Sequence, residues 1–397
     1  MDSILVFGAG ELQCSLINTV KRMGFRAVVI DPDPKAEGAN LADVFISIAG
    51  DDYDGTRKIA IEYNVIALVT AATDNPLPLM AKLAEELGLR FPSYESVMAV
   101  LDKGRFKKLL LENNIPCAKG KSYSIDELLD YDSLEYPAII KPNKNSGSRG
   151  VVKCKNREEL EAEVIKVKQF CRDGMYIVEE FIEGDEISVE GLVINGKLEI
   201  IQITDKILGP PPYNVEMGHI QPSTYWHRKA EIQDLLQRII SISGLNHCAV
   251  HPELKINERG IYIIEIGPRL GGDFITSDLV PLSTGIDIEQ EMINTLLGKS
   301  INLIRDDYAA MIKYIALPEG TVVTKKLDEA SIIKMVPNIH KAKFYLEIGE
   351  IARSVTNSLN RHGYNILSGN SREVMLREYD TNIIKVSLVS EFKESIC

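Results

Sequence analysis

His251-Pro-Glu-Leu-Lys255, the turn Asn257-Glu-Arg-Gly260 and Tyr262-Ile-Ile-Glu-Ile-Gly-Pro-Arg-Leu-Gly-Gly272 read as two adjacent strands joined by a tight turn. In that pairing Glu253 and Glu265 face each other. Two carboxylates aimed into one cleft repel, and a hard divalent cation bound through oxygen is the usual remedy, with phosphate oxygens filling its remaining positions. Magnesium follows from the pair and not from either acid alone. Arg269, four residues past Glu265 and held by Pro268 and Gly271-Gly272, is placed to stabilise charge on a transferring phosphoryl group or an acyl phosphate. A plain surface arginine in a glycine-rich turn is the alternative.

Upstream, Tyr136-Pro-Ala-Ile-Ile-Lys141 is a strand that delivers a lysine, and Pro142-Asn-Lys-Asn-Ser146-Gly147-Ser148-Arg-Gly150 is the glycine- and serine-rich loop after it. Backbone N–H groups of such a loop cover phosphates while Lys141 supplies a point charge. A surface hairpin with solvated lysines is the bland reading. Val178-Glu179-Glu180-Phe-Ile182 then precedes Gly184-Asp-Glu186. This gives a short edge whose backbone pairs with an adenine, while Glu186 accepts from ribose hydroxyls. A β-hairpin with exposed acids is its alternative.

Towards the N-terminus, Ser3-Ile-Leu-Val-Phe7 reads as a buried strand, followed by the turn Gly8-Ala-Gly10 and an amphipathic helix to about residue 24. A dinucleotide fingerprint would place a third glycine at position 13, where helix and strand pack closely, and Gln13 stands there instead. A nicotinamide-dependent oxidoreductase is therefore weakly supported. The turn either lets the chain leave a strand or receives a substrate phosphate or carboxylate at the helix N-terminus through Gly8, Gly10 and Gln13. Asp31 either binds a ribose or begins a turn. Arg26-Ala-Val-Val-Ile30 and Val65-Ile-Ala-Leu-Val69, the latter ending in Thr73-Asp74-Asn75, are further strands of a parallel, doubly wound sheet. This first domain is expected to span 1–95.

From 96 to 300 the pattern is α+β with antiparallel strand pairs, opened by the lysine-rich helix Asp102-Lys103-Gly-Arg-Phe-Lys-Lys-Leu-Leu-Leu111. The remaining residues, 301–397, read as a small α+β domain with strands at 309–316, 341–348 and 383–388 and a helix at 371–379. No spacing in this last part identifies chemistry.

The 397 residues carry 57 acidic and 45 basic side chains, a net charge of -12, which offers no electrostatic ground for sequence-independent nucleic-acid binding. The six cysteines contain no C-x-x-C pair, so neither a zinc site nor a disulfide framework is indicated. No basic n-region with an apolar stretch opens the chain, and no run approaches a membrane span. A cytoplasmic protein with small-molecule partners is expected, with a homodimer as the symmetry-based expectation.

In the order of these elements the chain resembles the ATP-grasp superfamily, in particular its carbamoyl-phosphate synthase large-chain-like and L-amino acid ligase-like members. The resemblance implies a Rossmann-like preATP-grasp domain, a two-part ATP-grasp core with nucleotide between its sheets, and a C-terminal domain of biotin-carboxylase type. It implies that Lys103 and Lys141 bind ATP phosphates beneath the 145–150 loop, that 179–182 hold adenine and Glu186 ribose, and that Lys206 also reaches ATP. Glu253 and Glu265 would bind two magnesium ions, with manganese as the alternative metal, and Arg269 would act at the reacting phosphate. Glu216-Met-Gly-His219 resembles the substrate-proximal segment of the amino-acid-ligase-like group, with His219 facing the acceptor. Asp74 and Gly271 are further substrate-side candidates. One departure is plain: family members often carry Asn two residues after the second metal acid, and this chain has Gly267.

The reaction so implied is ADP-forming ligation of a small carboxylate, such as an amino acid, to an amine through an acyl phosphate. No serine or cysteine nucleophile is needed for it. A bicarbonate-dependent carboxylase and a nucleotide-binding module without turnover are the rivals.

Overall fold

The computed structural model describes residues 1–144, 150–171, 173–210, 215–326, 328–336, 338–387 and 392–394. Its first sheet is parallel, with Ser3–Phe7 (β1), Arg26–Asp31 (β2), Val44–Ser47 (β3) and Val65–Thr70 (β4) in the order β3-β2-β1-β4. Side chains alternate across a strand, so β1 feeds two cores: Ile4 and Val6 enter one, Leu5 and Phe7 the other. That two-sided burial is why β1 reads as an unbroken apolar run.

A second, four-stranded antiparallel sheet holds Gly120–Ser124 (β5), Ala138–Pro142 (β6), Val152–Cys154 (β7) and Met175–Glu180 (β8) in the order β5-β8-β6-β7. The helix Arg157–Val167 closes its apolar face through Leu160 and Val164 against Tyr123, Ile140 and Tyr176.

The third sheet has eight antiparallel strands in the order β13-β12-β9-β10-β11-β14-β17-β16. They are Asp185–Ile194 (β9), Lys197–Leu208 (β10), Glu216–Gln221 (β11), Cys248–Asn257 (β12), Gly260–Gly267 (β13), Ala309–Ile315 (β14), Ile339–Phe344 (β16) and Gly363–Gly369 (β17). A short pair, Thr321–Val323 (β15) and Phe392–Glu394 (β18), stands apart. Because β14 pairs with β11, strands from 301–397 continue the sheet begun by strands from 96–300. The expected α/β plus α+β architecture is present.

Two expectations in the last part need correction. Residues 383–387 belong to one helix, Arg372–Ser387, and not to a strand; residue 388 lies outside the described residues. The β-branched Ile383, Ile384 and Val386 suggested a strand, but their helix penalty is under about 1 kcal/mol each, and extending an existing helix is cheaper than starting a strand. The strand expected at 341–348 occupies Ile339–Phe344, and β17, short and bracketed by glycines, had not been anticipated.

The first sheet meets the third where Ala72 N donates to Leu270 O at 3.1 Å. This junction brings Asp74 to the acid-bearing strands. Among the described residues no helix is long and apolar enough to cross a membrane.

Candidate active site

The turn between β12 and β13 sets their register as far as Leu254, opposite Ile263, and a one-residue shift beyond it brings Glu253 opposite Glu265. A bulge beside Glu253 twists the strand at that point. Each acid has its own lysine. Lys206, on β10, places Nζ 2.8 Å from Glu253 Oε2, 2.7 Å from Glu216 Oε1 and 3.8 Å from Glu186 Oε2. Lys103 reaches Glu265 Oε2 at 3.2 Å. Burial alone would drive a proton off Lys206, but Glu216, Glu253 and Glu186 hold its pKa well above the ordinary value. The same ammonium and His251 keep Glu253 well below the usual carboxylate range against the opposing effect of burial.

Lys103 is placed by the cap of its helix, Lys103–Glu112. Asp102 Oδ1 accepts from the backbone N–H of Gly104 and Arg105 at 3.1 and 3.0 Å. Asn143, just past β6, adds a bond from Gly104 N at 2.8 Å and so ties this helix to the second sheet.

Arg269 leaves β13 and turns back to the first domain, with Nε donating to Asp74 Oδ1 at 2.7 Å and Nη1 to Leu270 O at 3.1 Å. Burial would raise the Asp74 pKa, and the guanidinium more than offsets this, holding the carboxyl below its ordinary value. Gly271 is required by close approach: a Cβ there would lie 2.7 Å from Glu190 Oε2 and 2.8 Å from His251 Nδ1. His251 Nδ1 sits 2.7 Å from Glu190 Oε1, and Nε2 is 3.6 Å from Glu253 Oε1. Burial would lower the His251 pKa, but Glu190 lifts it to about 9. The imidazolium thus adds another positive charge beside the acid pair.

Two cavities, of about 340 and 380 Å³, share Asp74, His251, Glu265 and Arg269 in their walls. The larger includes Lys103 and Lys144; the smaller includes Lys206, Glu216, His219, Asp273, Leu359 and Arg361. Arg361 comes from the loop before β17 and grips Asp273 with both terminal nitrogens, at 2.9 and 2.8 Å, while its guanidinium lies 3.4 Å from the Tyr314 ring centre. His219 Nε2 is 3.1 Å from the same carboxylate. Asp273 and Phe274 both have positive φ, +51° and +60°, a backbone state side-chain-bearing residues avoid, and the Arg361 grip helps hold it.

The cavities therefore unite Glu253, Glu265, Arg269, Lys103, Lys206, Asp74 and His219. Lys141 and Glu179 do not line them; they pair with each other, Nζ to Oε1 at 2.5 Å, and Lys107 takes the other Glu179 oxygen at 2.6 Å. Burial opposes ionisation of Glu179, yet the two lysines keep its pKa below the ordinary value. Its side chain is thus fixed inside the second sheet, and just after it the backbone N–H groups of Glu180 and Phe181 donate to Lys119 O at 2.8 Å and Pro137 O at 2.9 Å. Glu180 Oε1 accepts from Lys119 N at 2.8 Å, and Ile182 is buried beside it in sequence. Glu186 reaches Lys255 at 3.1 Å as well as Lys206.

Gly8, Gly10 and Gln13 do not line the two cavities. Gly8, at φ +95°, is covered by the Gln13 side chain, and Gln13 Nε2 donates to Ala71 O at 2.7 Å. Asp31 accepts from Ala9 N at 2.7 Å and Asp33 N at 2.8 Å, the bonds of a turn residue. Ser146, Gly147 and Ser148 lie outside the described residues. Glu190, His251, Asp273 and Arg361 were not singled out in the sequence. His251 sits in the decisive stretch, two residues before Glu253, and its place on the same strand face was a usable signal.

Residues 134–278 match the family model of the ATP-grasp domain. These residues carry an ATP-grasp domain. Among curated proteins the chain is similar to the uncharacterized protein y4rH of Sinorhizobium fredii, 26% identical over 90% of this chain and 76% of that protein. It is also similar to alanine–anticapsin ligase of Bacillus amyloliquefaciens, 26% identical over 64% of this chain but 61% of that ligase's length. Among solved structures, an L-amino acid ligase from Bacillus licheniformis matches with a TM-score of 0.82 at 20% identity, covering 100% of this chain and 99% of that one. The biotin carboxylase domain of Hydrogenobacter thermophilus 2-oxoglutarate carboxylase, a dimer solved with MgADP, ADP and bicarbonate, gives 0.74 at 19% identity, over 98% and 90% of the two chains. At these identities the structural matches speak for the fold.

Proposed function

We propose that this protein is an ADP-forming carboxylate–amine ligase that works through an acyl phosphate. The observation that carries the reading is the register pairing of Glu253 with Glu265, ringed by Lys103, Lys206, His251 and Arg269 in shared cavities. The acid pair is balanced by fixed cations, so the site already holds the anions a divalent metal needs and the cations phosphate oxygens need. The donor set, two carboxylate oxygens groups facing one cavity, fits magnesium; Glu253 and Glu265 would hold it, and its charge would neutralise phosphate oxygens.

A carboxylate oxygen of the substrate bonds to the γ-phosphorus of ATP as the bridging bond to ADP breaks. The amine nitrogen then adds to the acyl carbon, phosphate leaves with the C–O bond electrons, and the nitrogen gives up its proton. Arg269, fixed by Asp74, faces charge on the transferred phosphoryl; Lys103 and Lys141 are assigned to the ATP phosphates. The 179–182 backbone is assigned to adenine, Glu186 to ribose and His219 to the acceptor side. Similarity to an alanine–anticapsin ligase supports an amino acid as one substrate.

A second reading, carboxylation from bicarbonate, is favoured by the fold match to the 2-oxoglutarate carboxylase domain. ADP release should be measured with ATP and magnesium against pools of amino acids, other small carboxylates and amines, with and without bicarbonate, using Glu265→Ala as the control. Release that needs a carboxylate and an amine, and is lost in the variant, supports the ligase. Release driven by bicarbonate without an amine moves the assignment to the carboxylase, and binding of ATP with no release under any condition leaves a nucleotide-binding module.

A further inference from the structure

Behind the acid pair lies a third carboxylate that neither ATP nor a substrate reaches directly. Glu190, on β9, is 1% exposed, and its strand pairs with β12 so that Ser188 lies opposite Glu253 and Gly191 opposite Val250. That register sets Glu190 beside His251. Glu190 Oε1 accepts from His251 Nδ1 at 2.7 Å and from Ser188 Oγ at 3.3 Å, and Oε2 has no hydrogen-bond partner among the described residues. A buried carboxylate is costly unless it is paired, and the histidine is its one cationic partner here. His251 and Glu253 stand two residues apart in a regular stretch of β12, opposite Gly267 and Glu265, so their side chains share a face. The far ring nitrogen, Nε2, is 3.6 Å from Glu253 Oε1, while Lys206 holds Oε2 at 2.8 Å.

We propose that His251 is a positioning residue for Glu253, pinned by Glu190, so that the chain Glu190–His251–Glu253 sets the carboxylate in place before a metal ion arrives. The inference rests on the reading of Glu253 and Glu265 as the magnesium site. The carboxylate of an unrestrained glutamate turns broadly about its last bond and meets a cation in several ways. Glu253 is instead engaged at both oxygens, and an ionised carboxylate oxygen that accepts once keeps a second lone pair for a metal. The two contacts differ in stiffness. Lys206 carries its ammonium on a flexible stem and shares it with Glu216 at 2.7 Å and Glu186 at 3.8 Å. The imidazole is a flat ring fixed at its other end by Glu190, with Gly271 packed on both members of that pair. His251 also lies where the two cavities meet, since it lines each of them. A group that orients a metal ligand in this way acts on metal affinity without touching the ion.

The test is metal affinity, read apart from turnover. Manganese is titrated into the full chain with a non-hydrolysable ATP analogue, and electron paramagnetic resonance measures the free ion. His251→Asn keeps a short amide to donate to Glu190 and lacks the end that reaches Glu253; it is expected to weaken manganese binding about 10–100-fold. Its loss of ADP release should be recovered by excess magnesium, a rise in KM for the metal with kcat restored. Glu190→Leu should weaken manganese binding to a similar degree, and Glu190→Gln, whose amide oxygen still accepts from the ring, should stay within about threefold of wild type. If Glu190→Leu does not fold, His251→Asn carries the test, because it retains the buried bond. A folded His251→Asn that melts lower but binds manganese within about threefold of wild type would overturn the proposal, since a histidine that only fills the core moves stability alone. If wild type binds no manganese in an analogue-dependent way, the reading of the acid pair falls and takes this inference with it, an outcome distinct from equal affinities.

Discussion

The protein has two glycine-bearing turns at strand ends near the junction of the first and third sheets, Gly8-Ala-Gly10 after β1 and Gly267-Pro-Arg-Leu-Gly271-Gly272 at the end of β13. Both use glycine for close approach, but what approaches differs. Over Gly8 the chain lays its own Gln13, which bonds the Ala71 carbonyl and seals the turn. Over Gly267 and Gly271 it lays Arg269, His251 and Glu190, all charged and set against the acid pair. The first turn is filled to hold two elements together; the second is crowded with charge to hold a reacting group. A glycine motif therefore reports a close contact, and the contacting residue decides whether the contact is structural or chemical.

The largest effects should fall on the second turn. Glu265→Ala removes one of the paired acids and its ion pair with Lys103, and Arg269→Ala removes the charge laid on Gly267; each is expected to lower kcat by about 10²–10³-fold, in line with loss of one preorganised electrostatic group. Steady-state ADP release measures both, and a loss under tenfold in either would remove that turn's chemical role.

The helix after the first turn gives a pH signature instead. Glu289 is buried, accepts from Ser15 Oγ at 2.8 Å and Thr19 Oγ1 at 3.0 Å, and burial raises its pKa to about 7. The folded state therefore holds this proton more tightly than the unfolded chain. The stability it brings is complete below the unfolded pKa, near 4.3, falls as pH rises towards 7 and is flat above, a change of about 3 kcal/mol. Glu289→Gln should flatten this slope and melt higher than wild type at pH 8; parallel melting curves would contradict the assignment.

Gly271→Ala should cost about 1–3 kcal/mol, as small-to-large changes in packed sites do, and it should lower activity by displacing the Glu190–His251 pair. Gln13→Ala should cost about 1–2 kcal/mol through the lost bond to a buried carbonyl, with kcat unchanged. Denaturant unfolding beside turnover separates the two, and equal activity losses at both turns would erase the contrast between them.

The parts legible in the sequence share a cause. A short turn joins β12 and β13, so their antiparallel pairing follows from local spacing, while the bulge beside Glu253, which shifts the register by one residue and sets Glu253 opposite Glu265, does not. The strand of Ser3–Phe7 and the cap of the 103–112 helix are local in the same sense. The illegible parts are long-range. Arg361 reaches Asp273 because β17 docks on β14, which no spacing between the two residues reveals. The capture of Glu179 by Lys107 and Lys141 depends on how a helix and two strands of the second sheet converge. The Ile383–Val386 run misled because apolar β-branched residues carry a weak preference that a continuing helix overrides.

The acyl phosphate is the central claim, and an isotope reads it directly. Once a carboxylate substrate is found in the ADP-release pools, its carboxylate is labelled with ¹⁸O and the inorganic phosphate released with the amide is analysed by mass spectrometry. Transfer of one labelled oxygen from carboxylate to phosphate is the expected result, since that oxygen bonds phosphorus in the intermediate and leaves with it. Unlabelled phosphate, or AMP and pyrophosphate in place of ADP and phosphate, would contradict the mechanism.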